Sequence, residues 1–470
     1  RALRSTPALP WASCWRCRSL ALRSCLDEHR IAARQGRKCR LCDSWETLRP
    51  LRGVEGVSIE GNQMKGRLAV MLAAGAVTFA ACGGAGFDDP VIGASEENEP
   101  TTTTAASEPA QGPATVVLPS GTSALEDMFA DEFPDPLVNP REIVSGGPPP
   151  DGIPPIDDPV FISVEDSLNL LPATEPVVAL EIDGDARAYP IRVLVWHEIV
   201  NDTVGDVPVS VTYCPLCNSA ATYERTIGGT ETTFGTSGRL FASALVMYDR
   251  ATESLWTHYN GEAVVGLLTG TRLAERPSPL LSWDDFRMAY PTGQVLDWRQ
   301  TGFDRDYGRN PYTGYDNPEN TPFLFRGALD DRARAMQRVV GIELGGSSVA
   351  YVLDDLTDGQ GSATNTTVNG QPVAIFWKAG QSSALDDGTI AEGRDVGSVA
   401  VFDPIVDGQA LTFDFDTVGF TDRETGSTWS IAGAALSGPL EGATLTRIAH
   451  LDTFWFAWST YQPGSDLIGN

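Results

Sequence analysis

The chain repeats itself, and that repetition limits its fold more than any single motif. Residues Val178–Tyr189 align with Val340–Tyr351, each an alternating apolar run, a glycine turn and a second alternating run. Val207-Pro208-Val209 returns as Gln371-Pro372-Val373, the stretch from Asp249 to Trp256 as Asp422 to Trp429, and Gly270–Leu273 as Gly442–Leu445. Matches in one order divide the folded part into units at 160–300 and 328–466. A linker rich in Tyr, Asn and Pro at 301–327 joins them. Short alternating runs between Gly and Asn/Asp turns predict antiparallel sheet, with brief helices at Ser282–Tyr290 and near Arg192–Ile199. The expected fold is mainly β within the α+β class: two tandem, degenerate β-rich pseudo-repeats packed together, since each alone would leave a sheet face exposed. A helical bundle and a doubly wound sheet are excluded; sandwich and barrel both stay open.

Duplication also supplies an internal control, because a feature present in both units serves the fold. The shared Asp-Arg-x-Thr-x-Ser-x-Trp element is one: its Asp and Thr suit a side-chain-capped turn and its Trp a core anchor. Features held by one unit are the functional candidates. Aligned through Pro208 and Pro372, Cys214 faces Lys378 and Cys217 faces Gln381, while Ser219-Ala220 matches Ser383-Ala384. The stretch Trp196–Asp202, carrying His197 and Glu198, has no counterpart around Asp354–Asn365. The second unit therefore reads as a degenerate copy that supports the first.

Ahead of both units the sequence changes character. Met64–Cys82 has a short basic start, an apolar run and small residues before a cysteine, and it resembles a bacterial lipoprotein signal. That resemblance implies a signal peptide at 64–81, lipidation of Cys82, a flexible acidic and Thr-rich tether over 82–115 and an extracytoplasmic body held to the membrane; ordinary secretion is the alternative. A Pro-rich lead-in at 116–159 follows. A start at Met64 makes residues 1–63, with their Cys14-x-x-Cys17 and Cys39-x-x-Cys42 pairs, an upstream conceptual translation outside the fold. The net charge is −28 although residues 1–63 hold 12 basic and 6 acidic side chains, so the remainder is strongly acidic. Such a field repels phosphate backbones and argues against nucleic acid as a partner.

With Cys82 lipidated, the mature chain keeps two thiols, Cys214 and Cys217, in Cys-Pro-Leu-Cys at the end of a buried strand. A bridge between them closes a very small loop and stabilises little, so a mere staple is a weak explanation. Pro215 stiffens the turn, and the pair suits either a redox couple or half of a soft-metal site. His197 and Glu198 are expected to lie beside it, His197 tuning a thiolate and Glu198 orienting it, with His258 a weaker neighbour. Phe234–Gly238 reads as a tight Gly-rich turn, and Asp304, Asp306 and Asn310 have an incomplete calcium-like spacing.

Through Trp196–Asp202, Tyr213–Cys217, Phe234–Gly238, Leu245–Arg250 and the linker's Asp306-Tyr307 and Asn310–Tyr312, the chain resembles the domain of unknown function 3179 family, closely over residues 160–330. Some members are selenoproteins; where selenocysteine falls in the Cys-Pro-x-Cys motif, this implies redox or soft-metal chemistry. His258 stands where the family pattern usually has Gln, which sets it apart from any shared catalytic group.

Three functions follow as expectations. The first is thiol–disulfide exchange by Cys214 and Cys217 with His197 and Glu198, needing no cofactor and acting on an unidentified thiol or disulfide. The second is copper or zinc binding by Cys214, Cys217 and His197, with a further ligand from Glu198, His258 or water. The third is an envelope scaffold with a structural cysteine pair. The redox reading expects His197 and Glu198 to converge on the cysteine turn in a concave, partly open site, and full burial of the sulfurs would favour the structural pair.

Overall fold

A computed structural model describes residues 122–416 and 419–469. The leader, the tether, Cys82 and the five cysteines upstream lie outside the described residues. The protein is mainly β with short helices, as the alternation predicts. No helix among the described residues is long and apolar enough to cross a membrane.

The first half opens with β1 (Pro176–Ile182) and β2 (Asp185–Pro190), a hairpin turning at Asp183-Gly184, where both residues adopt positive φ. Helix α1 (Ile191–His197) leads into β3 (Ile199–Val204), β4 (Val207–Cys214) and β5 (Ser219–Glu224). A meander follows: β6 (Phe234–Phe241), β7 (Ala244–Asp249), β8 (Leu255–Thr257) and β9 (Glu262–Val265). Then come β10 (Glu275–Arg276), β11 (Leu280–Ser282), α2 (Trp283–Ala289) and β12 (Gln294–Leu296). The sheet orders are β11-β1-β2-β12, β10-β5-β4-β3 and β6-β7-β8-β9, with short edge strands at Phe161–Ser163 and Val144–Ser145.

The second half runs β13 (Arg338–Leu344), β14 (Ser347–Val352), α3 (Leu353–Leu356), β15 (Gly361–Val368), β16 (Gln371–Lys378), β17 (Ser398–Asp403), β18 (Phe413–Phe415) and β19 (Phe420–Asp422). It continues with β20 (Thr428–Trp429), β21 (Ala435–Ser437), β22 (Thr446–Arg447), β23 (His450–Phe454), α4 (Trp455–Tyr461) and β24 (Asp466–Ile468). Its sheets are β23-β13-β14-β24, β22-β17-β16-β15 and β18-β19-β20-β21, the same connectivity as in the first half. The parallel pairing of β2 with β12 recurs between β14 and β24.

The shared turn element explains why its residues recur. Asp249 accepts from Thr252 N at 2.6 Å, Thr252 Oγ1 at 2.7 Å and the Trp256 indole N–H at 3.0 Å. Asp422 accepts from Thr425 N at 2.6 Å, Thr425 Oγ1 at 2.9 Å and Trp429 Nε1 at 2.9 Å. One carboxylate closes a turn and pins a buried tryptophan, so Asp, Thr and Trp are required together.

The two halves form one compact unit. Tyr213, Cys214 and Cys217 share one apolar cluster with Phe454, Trp455 and Trp458 of the second half, so neither half closes its core alone. The packing is reciprocal: β5 meets β23, and β11 meets β17. This cross-packing positions the cysteine turn.

Candidate functional site

Strands β4 and β5 pair up to Cys214 opposite Ser219, leaving Pro215–Asn218 as the turn. Asn218 takes φ of +50° and accepts from Tyr213 Oη at 3.0 Å, so the turn is closed from its own strand. The second half clamps it. The Cys217 carbonyl accepts from Phe454 N at 3.1 Å and from Thr453 Oγ1 at 2.8 Å.

The two sulfurs are free thiols, and both are buried, at 1% and 0% exposure. The expected partly open site is therefore not found at the sulfurs themselves, and this burial is what a structural pair would show. Burial alone would push both thiols up, since a thiolate is poorly solvated there. For Cys214 that burial is outweighed: the neighbouring Cys217 thiol and the backbone N–H groups of Leu245, Cys217 and Leu216 favour the thiolate, which lowers it below the ordinary thiol. The turn itself supplies two of those amides, Leu216 and Cys217. Cys217 moves the opposite way. Burial, donation to Cys214 and the charge on Cys214 hold it protonated.

Behind Cys217 runs a hydrogen-bonded line. Its sulfur lies 3.0 Å from Ser219 Oγ, Ser219 Oγ lies 2.9 Å from His258 Nε2, and His258 Nδ1 lies 2.8 Å from Thr212 Oγ1. Thr212 Oγ1 donates to the Ala221 carbonyl at 2.7 Å, which fixes the rest. Thr212 accepts from Nδ1–H, Nε2 accepts from Ser219, and the Ser219 oxygen is left facing the Cys217 thiol. Burial lowers His258 to about 4, so the imidazole is neutral and its Nε2 lone pair stays open to a proton.

Glu198 caps α1 at φ of +59°. Burial, then the negative charge on Cys214, raises its carboxyl well above the usual range and keeps it protonated. Glu198, Leu216 and Leu245 also line a half-open cavity of about 360 Å³, completed by Leu240, Tyr312, Tyr315 and Phe323 among others. Tyr315 Oη donates to the Leu216 carbonyl at 3.1 Å, tying the linker to the cysteine turn. The concave surface thus lies one layer of side chains from the sulfurs.

His197 goes elsewhere. Its Nδ1 donates to the Pro154 carbonyl at 2.6 Å, and its Nε2 accepts from Tyr307 Oη at 2.7 Å, with the Phe303 ring 5.0 Å away between centroids. Both nitrogens are spent on anchoring the lead-in and the linker. Burial pushes His197 down to about 4. Of the expected quartet the fold thus brings Cys214, Cys217 and Glu198 together, and His258 takes the place expected of His197. The three-ligand metal set is not assembled either: no group of three or more His, Cys, Asp or Glu comes together as a metal would require, among the described residues.

Two further expectations change. Phe234–Gly238 is no tight turn; it is the start of β6, with a bulge between Thr236 and Arg239. Gly238, at φ of +70°, has no room for a Cβ, which would sit 2.0 Å from the Pro148 carbonyl oxygen. Nor does Ser219 correspond to Ser383. The register sets Ser219 opposite Cys214 and Ser398 opposite Lys378, because the loop between β16 and β17 is far longer than the cysteine turn. Ser398 and Lys378 both bond Asp285 of α2, so the equivalent corner of the second half is filled by an ion pair. Asn310, of the calcium-like trio, is used locally by Tyr312 N and the Asp387 carbonyl.

Ser219 and Thr212 were missed because lone hydroxyl residues in strands carry no sequence signal, and His258 was set aside because the family pattern usually differs there.

These features define a mainly β scaffold built around a buried Cys-x-x-Cys turn beside an apolar cavity. The chain belongs to the family described as protein of unknown function (DUF3179), which matches residues 150–465. No curated protein and no solved structure matches it.

Proposed function

We propose that the first half is a thiol–disulfide oxidoreductase in which Cys214 attacks and Cys217 resolves. What supports this reading is the environment of Cys214: a buried turn in which neighbouring backbone N–H groups and the Cys217 thiol favour its thiolate, while Cys217 abuts Ser219 and, through it, His258. Burial of the pair fits a structural role as well, and a purely structural pair has no need of thiolate donors, of a neutral histidine behind the second sulfur or of a protonated carboxyl beside the first.

The reduced pair reacts in two balanced steps. The Cys214 thiolate attacks one sulfur of a disulfide; that bond breaks, a mixed disulfide forms, and the leaving thiolate takes the Glu198 proton. Cys217 then releases its proton to Ser219, which passes its own to His258 Nε2. The freed sulfur attacks Cys214, and the second substrate sulfur leaves. The substrate gains two electrons and the cysteines lose two; a low-potential dithiol returns them, and the reverse sequence oxidises a dithiol. Donors that stabilise the reduced pair make its disulfide the more oxidising.

The resemblance of 64–82 to a lipoprotein leader supports an extracytoplasmic, membrane-anchored setting, where such exchange is needed. The recurring connectivity supports descent of both halves from one unit, with the second reduced to support.

Equilibration in glutathione buffers of graded ratio, followed by acid quench and alkylation, tests the function. A reversible two-electron transition between dithiol and Cys214–Cys217 disulfide is expected. A pair that never forms that disulfide across the range overturns it.

A further inference from the structure

We infer that the groove between the two halves at the end of α2 binds a small, uncharged, planar aromatic molecule bearing a hydroxyl or carbonyl oxygen. The halves meet in two related places. On one side the β1–β2 turn and the end of α2 face the segment from Ala432 to Arg447; on the other, β13 and the end of α4 face the segment from Tyr259 to Glu275. The first place encloses a half-open cavity of about 650 Å³, the size of a small-molecule site. The second keeps about 60 Å³, room for no more than water.

The register explains the difference. Leu280 pairs with Val178 and Asp452 with Val340, so α2 and α4 begin at equivalent tryptophans, Trp283 and Trp455, and Ala289 takes the place of Tyr461. Leu273 N donates to the Gly261 carbonyl and Leu445 N to the Gly433 carbonyl, which makes those two glycines equivalent as well. Counted from Trp256, Gly261 is reached in five residues; counted from Trp429, Gly433 is reached in four. The longer loop carries Tyr259, which stacks on Tyr461 with ring centroids 4.4 Å apart and planes 15° apart. The shorter loop presents Ala432. A stacked pair of rings therefore sits at one groove, and the other, lined by Ala289, Ala432 and Ala434, has neither ring.

The wall sets the chemistry. Arg447 places its guanidinium in the groove, since it donates to Glu181 Oε2 at 3.2 Å, to the Tyr290 hydroxyl and to the Ala432 carbonyl at 3.3 Å, all residues of the same wall. A planar cation beside a ring-sized gap favours an aromatic face over an aliphatic one of equal size. Its charge is met by Glu181, and that of Arg276, on the same wall, by Glu224 at 2.5 Å; Asp183, the remaining charged residue, is exposed at the hairpin turn. A charged ligand would thus be buried without a counter-charge. Arg276 also holds a buried Nε with no acceptor, a need that an oxygen on the ligand meets. A neutral ring with an oxygen substituent satisfies these conditions together, and it is the chemistry of the tyrosines that this groove lacks.

The test follows binding of 2-naphthol to the full chain at neutral pH through the fluorescence of the ligand itself, with its saturated counterpart decahydro-2-naphthol and its charged analogue 2-naphthoate as competitors. 2-Naphthol is expected to bind saturably with a Kd below about 1 mM, and at least about tenfold more tightly than either competitor. Ala289→Tyr restores the ring that stands at Tyr461, and Ala434→Phe fills the groove from the second half; Ala289 and Ala434 are both half-buried, so each can take a larger side chain. Each variant is expected to weaken 2-naphthol at least about tenfold while its urea midpoint stays that of the wild type. Should either variant lose its fold, the wild-type ranking of the three ligands decides alone. No saturable binding of 2-naphthol below that limit, equal or tighter binding of decahydro-2-naphthol or 2-naphthoate, or an affinity untouched by both folded variants overturns the inference. The redox reading of Cys214 and Cys217 is independent of each of these outcomes.

Discussion

Replacing Glu198 with Gln isolates the cost of keeping a carboxyl neutral beside a thiolate. The folded protein holds Glu198 protonated, whereas the unfolded chain releases that proton around its ordinary value of 4.5. A raised pKa contributes stability that is fully present below about 4.5 and is lost as pH rises toward the folded value. Each pH unit in that window costs the wild type about 1.4 kcal/mol. Gln cannot ionise, matches the shape, and keeps the same left-handed backbone at this helix cap, so cap strain cancels in the comparison. Urea unfolding of both proteins under reducing conditions, at intervals from pH 4.5 to 7.5, reads the difference directly. The variant should match the wild type within about 1 kcal/mol at the acid end and become progressively more stable toward neutrality, by up to about 1.4 kcal/mol per pH unit. A difference that does not grow with pH, or a variant that grows less stable, would mean that Glu198 is a paired carboxylate and would refute the reasoning.

Other outcomes follow from the same geometry. His258→Ala should slow the resolving step at least tenfold while sparing the first attack, so that single-turnover quenching traps the Cys214 mixed disulfide; equal slowing of both steps would speak against the relay. Trp256→Phe and Trp429→Phe should each cost about 1–3 kcal/mol in urea unfolding, since each leaves a buried aspartate short of one donor, and the two costs should agree. Asp452→Asn should destabilise by about 3–5 kcal/mol, because it leaves the Arg338 guanidinium buried without its counter-charge; replacing both partners by apolar residues should recover most of that loss.

The fold was legible where local chemistry and tertiary demand agree. Alternating runs around glycine turns announce the β1–β2 and β13–β14 hairpins, and the Asp-Thr-Trp element announces a turn because a single carboxylate serves both backbone and indole. The site was legible in part. A Cys pair and a glutamate absent from the second half mark it, since a difference between two halves of like connectivity filters out what the fold requires. His197 misled because sequence proximity to Glu198 says nothing of direction: the left-handed cap between α1 and β3 turns the histidine toward the linker and the glutamate toward the sulfurs. His258 enters from β8, reaching Ser219 across the core, and long-range approach of this kind leaves no trace in spacing. The equivalence of Ser219 with Ser383 failed for a related reason. An inserted loop preserves local similarity while the ladder register pairs Ser398 with Lys378 instead.

The claim on which the rest depends is that Cys214 is a stabilised thiolate in the reduced protein. Its most direct test is the ultraviolet thiolate absorbance followed through an alkaline titration of the reduced wild type, Cys214→Ser and Cys217→Ser. The wild type should show one thiolate titrating below the ordinary thiol range of about 8.5, the Cys214→Ser protein none there, and the Cys217→Ser protein one again, since a serine hydroxyl still donates where the thiol did. Absorbance that rises only above the ordinary range in the wild type, or an early thiolate that survives in Cys214→Ser, would contradict the account.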